Sequence, residues 1–159
     1  MADRAETITR FKRHFTTGAR ELRNVTCGLN IMNKIEFTGK VFSGEGGGKK
    51  FLELNWVKRQ ITTLLGFAPY AGTLNIRLSD TSAAHRKLLE QTKAMIIQPA
   101  GGYSSGKLFK ADIKGIMCAV VIPEVGGYPT DILEVIAAVN LRDRLQLADG
   151  DEIAVTVNI

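Results

Sequence analysis

Residues 108–122 read LFKADIKGIMCAVVI, and this stretch decides the fold. Two apolar runs, 108–113 and 116–122, flank the dipeptide Lys114-Gly115. A two-residue connection between strand-like runs is typical of a β-hairpin. The stretch therefore predicts two antiparallel strands, with Cys118 in the core.

Outward from this hairpin, further short segments have strand character and are separated by turn residues. The predicted strands are 35–42, 51–54, 73–78, 94–98, 131–137 and 152–157. The predicted helices are 56–65, capped by Asn55 and closed by Gly66, a polar helix around His85, and 141–145, capped by Asn140. Because short strands outnumber helices, the pattern favours a mainly β fold, a small closed barrel with short helical excursions.

The chain is long enough for one domain with an appendage. We expect an N-terminal extension over residues 1–34 and the barrel domain over residues 35–159. The sequence contains no run of eighteen apolar residues, which argues against a membrane span, and its polar first ten residues do not resemble a secretory signal. Two cysteines far apart suggest neither a disulfide framework nor a zinc site, so we expect a cytoplasmic protein.

The net charge of +5 is concentrated at the N-terminus, since residues 1–40 carry +4 of it. Residues 7–23 form a candidate basic helix, in which Ile8, Phe11 and Phe15 recur at helical spacing. We expect this apolar stripe to dock on the main domain. A nucleic-acid footprint would lie on this segment and not on the barrel, so nucleic-acid binding is disfavoured as the main function.

A glycine-rich stretch, GEGGGKK at residues 44–50, follows the first predicted strand. Glycines let backbone amides approach an anion closely, and Lys49 and Lys50 add positive charge. The spacing is not that of a Walker A loop. The stretch alone fits a phosphate-binding loop and a flexible hairpin loop equally well.

Three polar side chains in predicted strands are candidates for chemistry. Alternation places the oxygens of Thr73 and Asn75 on one face, where they suit Mg²⁺ if phosphate oxygens complete its ligands. From spacing alone, satisfying the strand edge is the simpler role for both. Glu134 stands in an apolar run, where a carboxylate needs a partner or a task, and it is a candidate general base. A surface carboxylate at a strand edge is the competing interpretation.

These signals occur together in one order that resembles a known family. Residues 39–46 (GKVFSGEG) followed by Phe51-Leu52, residues 65–75 (LGFAPYAGTLN), and residues 128–151 from Tyr128-Pro129 to Asp149-Gly150-Asp151 resemble the archaeal-type CTP-dependent riboflavin kinases. The resemblance runs over 121 residues, from Gly39 to the end.

The resemblance implies a six-stranded cradle-loop barrel that transfers the γ-phosphate of CTP to the 5′-hydroxyl of riboflavin, giving FMN and CDP. It implies a Mg²⁺ site at Thr73 and Asn75, and a contact between Glu134 and the ribityl end of the flavin, next to which Glu134 is the candidate catalytic base. Nucleotide contacts are implied for Gly44, Glu45, Gly46, Gly47, Gly48, Lys49, Val139, Asn140, Leu141 and Arg142. For the isoalloxazine ring, Phe67, Tyr70 and Tyr128 are candidate neighbours.

One position departs from the family pattern. Gly126 stands where the family usually has a threonine that contacts the flavin product, so the flavin contact there is reduced to backbone. This departure keeps a kinase of another small alcohol open. A non-catalytic barrel that binds nucleotide or DNA is the alternative from a different functional class.

Overall fold

The structure is a computed structural model that describes residues 33–159. The strands are β1 (Lys34–Phe42), β2 (Leu74–Leu78), β3 (Met95–Ile97), β4 (Gly106–Ile113), β5 (Ile116–Pro123), β6 (Ile132–Ala137) and β7 (Glu152–Asn158). The helices of this part are α1 (Gly47–Glu53), α2 (Asn55–Leu65), α3 (Asp80–Gln91) and α4 (Leu141–Leu145). None of them is long and apolar enough to cross a membrane.

The chain divides into units of residues 1–32 and 33–159. The predicted basic helix at residues 7–23 lies outside the described residues. The expected boundary between residues 34 and 35 stays a prediction.

The strands form an antiparallel barrel in the order β4-β5-β6-β2-β1-β7, which closes where β7 pairs with β4 through Ala111 and Asp112. The short β3 pairs with the other end of β4, on the edge that β7 leaves free. Six strands thus make the closed barrel and β3 extends it. The predicted mainly β fold is confirmed.

Both faces of the barrel wall are buried at β5 from Cys118 to Ile122, which explains the apolar run there. Cys118, Val120 and Ile122 belong to a core that all six barrel strands share, the barrel interior. Ala119 and Val121 point the opposite way, into a second core under α1 and α2. The pair of helices therefore covers the outside of β4, β5 and β6.

The hairpin between β4 and β5 has the predicted connection. Lys114 and Gly115 both have positive φ, 50° and 82°. Two positive-φ residues are what a tight right-twisted hairpin requires. The register pairs Ile113 with Ile116, so the turn contains two residues.

The predicted strand 51–54 is wrong, because Phe51 and its neighbours lie in α1. A helix buries Leu52 in the second core while Lys49 and Lys50 stay exposed, which an isolated strand there would not achieve. The glycine-rich loop is correspondingly shorter, since Gly47 and Gly48 already belong to the helix. Four residues of partial alternation do not distinguish a strand from one face of a short helix.

The predicted helix ends are partly correct. Asn55 is the first residue of α2 and not its cap, a position that Leu54 holds without a side-chain hydrogen bond. Gly66 ends α2 in the left-handed region, with φ of 80°, as predicted. Asn140 caps α4 as predicted, because its side-chain oxygen accepts from the amides of Arg142 and Asp143.

Candidate active site

Strand register builds the site on the outer face of the barrel. Leu74 and Ile76 of β2 face the interior, so Asn75 faces outward. Glu134 of β6 likewise points away from the interior and pairs directly with Asn75. Directly opposed residues in an antiparallel pair share a face, so the amide and the carboxylate lie side by side.

Thr73 precedes β2 and reaches the same place. Its hydroxyl donates to Oδ1 of Asn75 at 3.0 Å. The two predicted metal-site oxygens are therefore neighbours. The loop after β1 and the first turn of α1 pack directly onto them, because a Cβ built on Gly44 would overlap the Asn75 amide and one built on Gly48 would meet Thr73 Oγ1 at 2.7 Å.

A polar cleft of about 790 Å³ opens over these side chains. Most of the predicted site residues line it: Gly44, Glu45, Gly46, Gly47, Gly48, Lys49, Thr73, Asn75, Glu134 and Arg142. The first helical hydrogen bond of α1 is donated by Lys50 to the carbonyl of Gly46, so the amides before Lys50 are not used within the helix. Free amides, glycine backbone and cationic side chains together suit an anionic ligand.

An apolar cavity of about 230 Å³ lies next to this cleft, on the same outer face of the barrel. Leu52, Val121 and Ile136 form part of its lining, and Phe51 and Tyr103 add aromatic surface. The rings of Phe51 and Tyr103 have centroids 5.8 Å apart, and Trp56 lies 5.9 Å from both. Such spacing is typical of packed aromatic groups, so one end of the cavity can hold a flat apolar ring.

Glu134 stands where the polar cleft and the apolar cavity meet. It lines both, together with Thr73, Gly47 and Gly48. Its Oε1 accepts a hydrogen bond of 2.7 Å from the Tyr128 hydroxyl. Burial and this carboxylate raise the pKa of Tyr128, so its hydroxyl remains a hydrogen-bond donor at neutral pH.

Arg142 is held by contacts that the sequence does not reveal. Its guanidinium donates to the carbonyl of Phe42 at 2.7 Å and to Asp149 at 2.8 Å, and Ser43 donates to Asp149 at 2.9 Å. The hydrogen bonds from Arg142 and Ser43 lower the pKa of Asp149. The turn before β7 therefore holds Arg142 in place at the rim of the polar cleft.

The second predicted nucleotide-contacting stretch lines a third cavity of about 200 Å³. Val139, Asn140 and Leu141 lie there, and Arg142 connects it to the polar cleft. The Asn140 amide donates to the Tyr70 hydroxyl at 3.3 Å.

Gly126 does not line any of the three cavities, although Val125 lines the apolar one and Tyr128 the polar one. It is exposed, and no atom lies within 4 Å of a Cβ built on it. Its predicted flavin contact stays a prediction.

The oxygens of Thr73 and Asn75 fit a magnesium ion that also binds phosphate. Octahedral Mg²⁺–oxygen bonds of about 2.0–2.1 Å put adjacent ligands roughly 2.9–3.0 Å apart. The observed separation is 3.0 Å. The described residues contain no cluster of three or more His, Cys, Asp or Glu side chains that would hold a metal without such help.

Comparison with known proteins shows the family of this chain. The family model CTP-dep_RFKase, described as "Domain of unknown function DUF120", matches residues 41–157. The chain belongs to the CTP-dependent riboflavin kinase family. The matched range includes the glycine-rich loop, the Thr73–Asn75 pair, Glu134 and Arg142.

Archaeal riboflavin kinases are similar over most of the chain. A riboflavin kinase of Pyrobaculum arsenaticum is 40% identical, over 91% of this chain and 70% of that protein. Those of Archaeoglobus fulgidus and Methanosarcina barkeri are 41% and 37% identical, over 77% and 76% of this chain. The chain spans 54% and 56% of the lengths of these two relatives.

The sequence of this riboflavin kinase family member did not predict two aromatic site residues. They lie far apart in the chain and meet only in the folded protein. Phe51 and Tyr103 line the apolar cavity, whereas Phe67 packs in the second core and Tyr70 lines the third cavity. Phe51 and Tyr103 are 52 positions apart, and periodicity has no signal for such a meeting. Of the three expected aromatic residues, only Tyr128 reaches Glu134.

Proposed function

We propose that this chain is a riboflavin kinase that transfers the γ-phosphate of CTP to the 5′-hydroxyl of riboflavin, giving FMN and CDP. The observation that carries the proposal is the position of Glu134 between an anion-binding cleft and an apolar cavity with an aromatic wall. Phosphoryl transfer to a flavin alcohol needs this juxtaposition, with a charged donor on one side and a flat apolar acceptor on the other.

The polar cleft suits the triphosphate of the donor. The loop amides and Lys49 offer hydrogen bonds and charge to the phosphates, and Arg142 adds a fixed cation at the rim. Thr73 and Asn75 would hold Mg²⁺, which neutralises phosphate charge when it is bound. The third cavity, at Val139–Leu141, is left for the nucleoside.

The apolar cavity suits the isoalloxazine ring, with the ribityl chain leading toward Glu134. In that pose the free Oε2 faces Gly48 and Thr73, where the phosphate and the alcohol meet. Glu134 then orients the 5′-hydroxyl and accepts its proton as the oxygen attacks the phosphorus. Tyr128 holds the other carboxylate oxygen, so among residues 33–159 the base keeps one acceptor oxygen without a hydrogen bond, next to Gly48.

The test is direct production of FMN. Purified chain, riboflavin, CTP and Mg²⁺ are incubated, and FMN and CDP are separated by chromatography. We expect equimolar FMN and CDP, and a higher kcat/KM with CTP than with ATP. Equal kcat/KM for the two nucleotides would remove the CTP preference and leave the kinase. Absence of FMN under all metal and nucleotide conditions would refute the proposal.

Gly126 supports a second candidate, a kinase of another small alcohol, because the threonine hydroxyl of the family pattern is missing. A panel of alcohols under the same conditions separates the two. For riboflavin we expect Gly126→Thr to tighten FMN binding roughly tenfold, the scale of one hydrogen bond to a charged group. Isothermal titration with FMN measures it, and equal or weaker binding by the variant would show that position 126 does not contact the flavin.

A further inference from the structure

Arg86 of α3 is a buried charge with little to balance it. Its side chain is 2% exposed. One guanidinium nitrogen lies 3.4 Å from Glu90, whose side chain is 54% exposed, and its Nε has no hydrogen-bond partner among the described residues. Burying a cation with one long ion pair is costly, so the position calls for a physical explanation.

The guanidinium lies against the ring of Tyr128. Its central carbon is 5.7 Å from the ring centroid, within the range of a cation–π contact. The hydroxyl of the same ring donates to Glu134 at 2.7 Å. Arg86, Tyr128 and Glu134 thus form one continuous series of contacts that leads from the buried face of α3 to the proposed base.

The backbone around Tyr128 leaves its ring in need of such a support. The preceding residues are Gly126 and Gly127, and Gly127 has a φ of 76°. Glycines restrict the chain least, so the loop alone fixes the tyrosine weakly. Ring position therefore depends on what the ring packs against.

We propose that Arg86 is a positioning residue, whose cation fixes the Tyr128 ring so that its hydroxyl holds Glu134 in the reactive orientation. This inference rests on the proposed function, in which Glu134 is the catalytic base. The cation also acts through charge: burial and Glu134 raise the pKa of Tyr128, and the positive charge of Arg86 opposes them. A more acidic phenol is the stronger hydrogen-bond donor.

If Arg86 only stabilised the fold, its replacement would lower the melting temperature, and activity would fall only as a result. Methionine fills much of the same space without a charge, and replacing a poorly paired buried ion by an apolar side chain is often neutral or stabilising. We therefore expect Arg86→Met to keep the melting temperature of the wild type or to raise it, while activity falls.

A double-mutant cycle tests the proposal through kcat for FMN formation. Arg86→Met should lower kcat about 2- to 30-fold, the range of a cation–π contact, and Tyr128→Phe about 10- to 100-fold. The double variant should match Tyr128→Phe within about twofold, because Arg86 acts only through the hydroxyl. Riboflavin KM should change less than kcat. Arg86→Lys should recover part of the loss, and Lys87→Met, an exposed neighbour, serves as the matched control.

Multiplicative losses in the double variant would overturn the proposal, as would an unchanged kcat in Arg86→Met or a lysine variant no better than methionine. A second readout needs no turnover. In protein labelled with ¹³C-tyrosine, the Tyr128 ring resonance, identified from its loss in Tyr128→Phe, should move in Arg86→Met and stay in Lys87→Met. An unmoved resonance in Arg86→Met refutes the positioning role. If the wild type makes no FMN, the proposed function fails, and this resonance still decides whether Arg86 positions Tyr128.

Discussion

Gly48 offers a test of how closely α1 packs on the site. A Cβ at this position would meet Thr73 Oγ1 at 2.7 Å, Thr73 Cγ2 at 2.8 Å and Glu134 Oε2 at 3.4 Å. Real Cβ atoms do not approach to 2.7 Å, so in Gly48→Ala either Thr73 or the first turn of α1 must move. The neighbouring Gly47 has no atom within 4 Å of its Cβ position, and it lies in the same helix.

The two variants differ mainly by this overlap. Replacing glycine by alanine in a helix stabilises a protein by about 0.5–1 kcal/mol, and that contribution is common to both. Overpacking costs about 1–3 kcal/mol, and only Gly48→Ala incurs it. We therefore expect Gly47→Ala to raise the free energy of unfolding slightly, and Gly48→Ala to lie about 1–3 kcal/mol below Gly47→Ala.

Urea unfolding of the three proteins measures the difference. If Thr73 is the group that moves, its hydroxyl leaves its position 3.0 Å from Asn75 Oδ1, and Gly48→Ala should then also need more Mg²⁺ for half-maximal FMN formation. Ile113→Val, a core change in the hairpin that costs about 0.5–1.5 kcal/mol, controls for lost stability alone and should leave the Mg²⁺ requirement unchanged. Equal stability of Gly47→Ala and Gly48→Ala would refute the packing argument.

Three further outcomes are expected. Glu134→Gln should lower kcat about 10²-fold or more, which is the usual scale for a lost general base, and should leave the melting temperature unchanged. Turnover within threefold of wild type would contradict the assignment. Thr73→Ala and Asn75→Ala should each raise the Mg²⁺ concentration for half-maximal rate, and unchanged titrations in both would place the metal elsewhere. Because Arg142 lowers the pKa of Asp149, the charged form of Asp149 stabilises the fold above its unfolded pKa, about 3.9, and this contribution is lost as pH falls through the lower folded pKa. The stability difference between wild type and Asp149→Asn should therefore shrink as pH falls below about 4 in urea titrations, and a difference independent of pH would contradict it.

The sequence alone predicted the features that depend on interactions between residues close together in the chain. The hairpin follows from Lys114-Gly115, since the backbone twist of a two-residue turn is set by the turn residues themselves. Gly66 and Asn140 act on amides and carbonyls within a few residues. The outward placement of Asn75 is a consequence of strand alternation alone.

Only the tertiary structure shows that Asn75 and Glu134 are adjacent. Alternation shows which residues of its own strand share a face with Asn75, and likewise for Glu134. Only the register between β2 and β6 makes the two residues adjacent. A shift of one residue would have put Glu134 in the barrel interior. The order of motifs along the chain pointed to the family whose model matches residues 41–157.

The remaining parts of the site depend on contacts that no local pattern encodes. Phe51 lies in a helix because Leu52 gains burial against the barrel wall. The four residues 51–54 are too few for their periodicity to predict that helix. Ser43 meets Asp149 across 106 positions, and Arg86 lies under Tyr128 across 42. Sequence by itself determined most of the strands, the hairpin turn, the end of α2 at Gly66 and the Asn140 cap, because those energies act over a few residues. Tertiary packing decided that residues 51–53 are helical and which distant side chains meet.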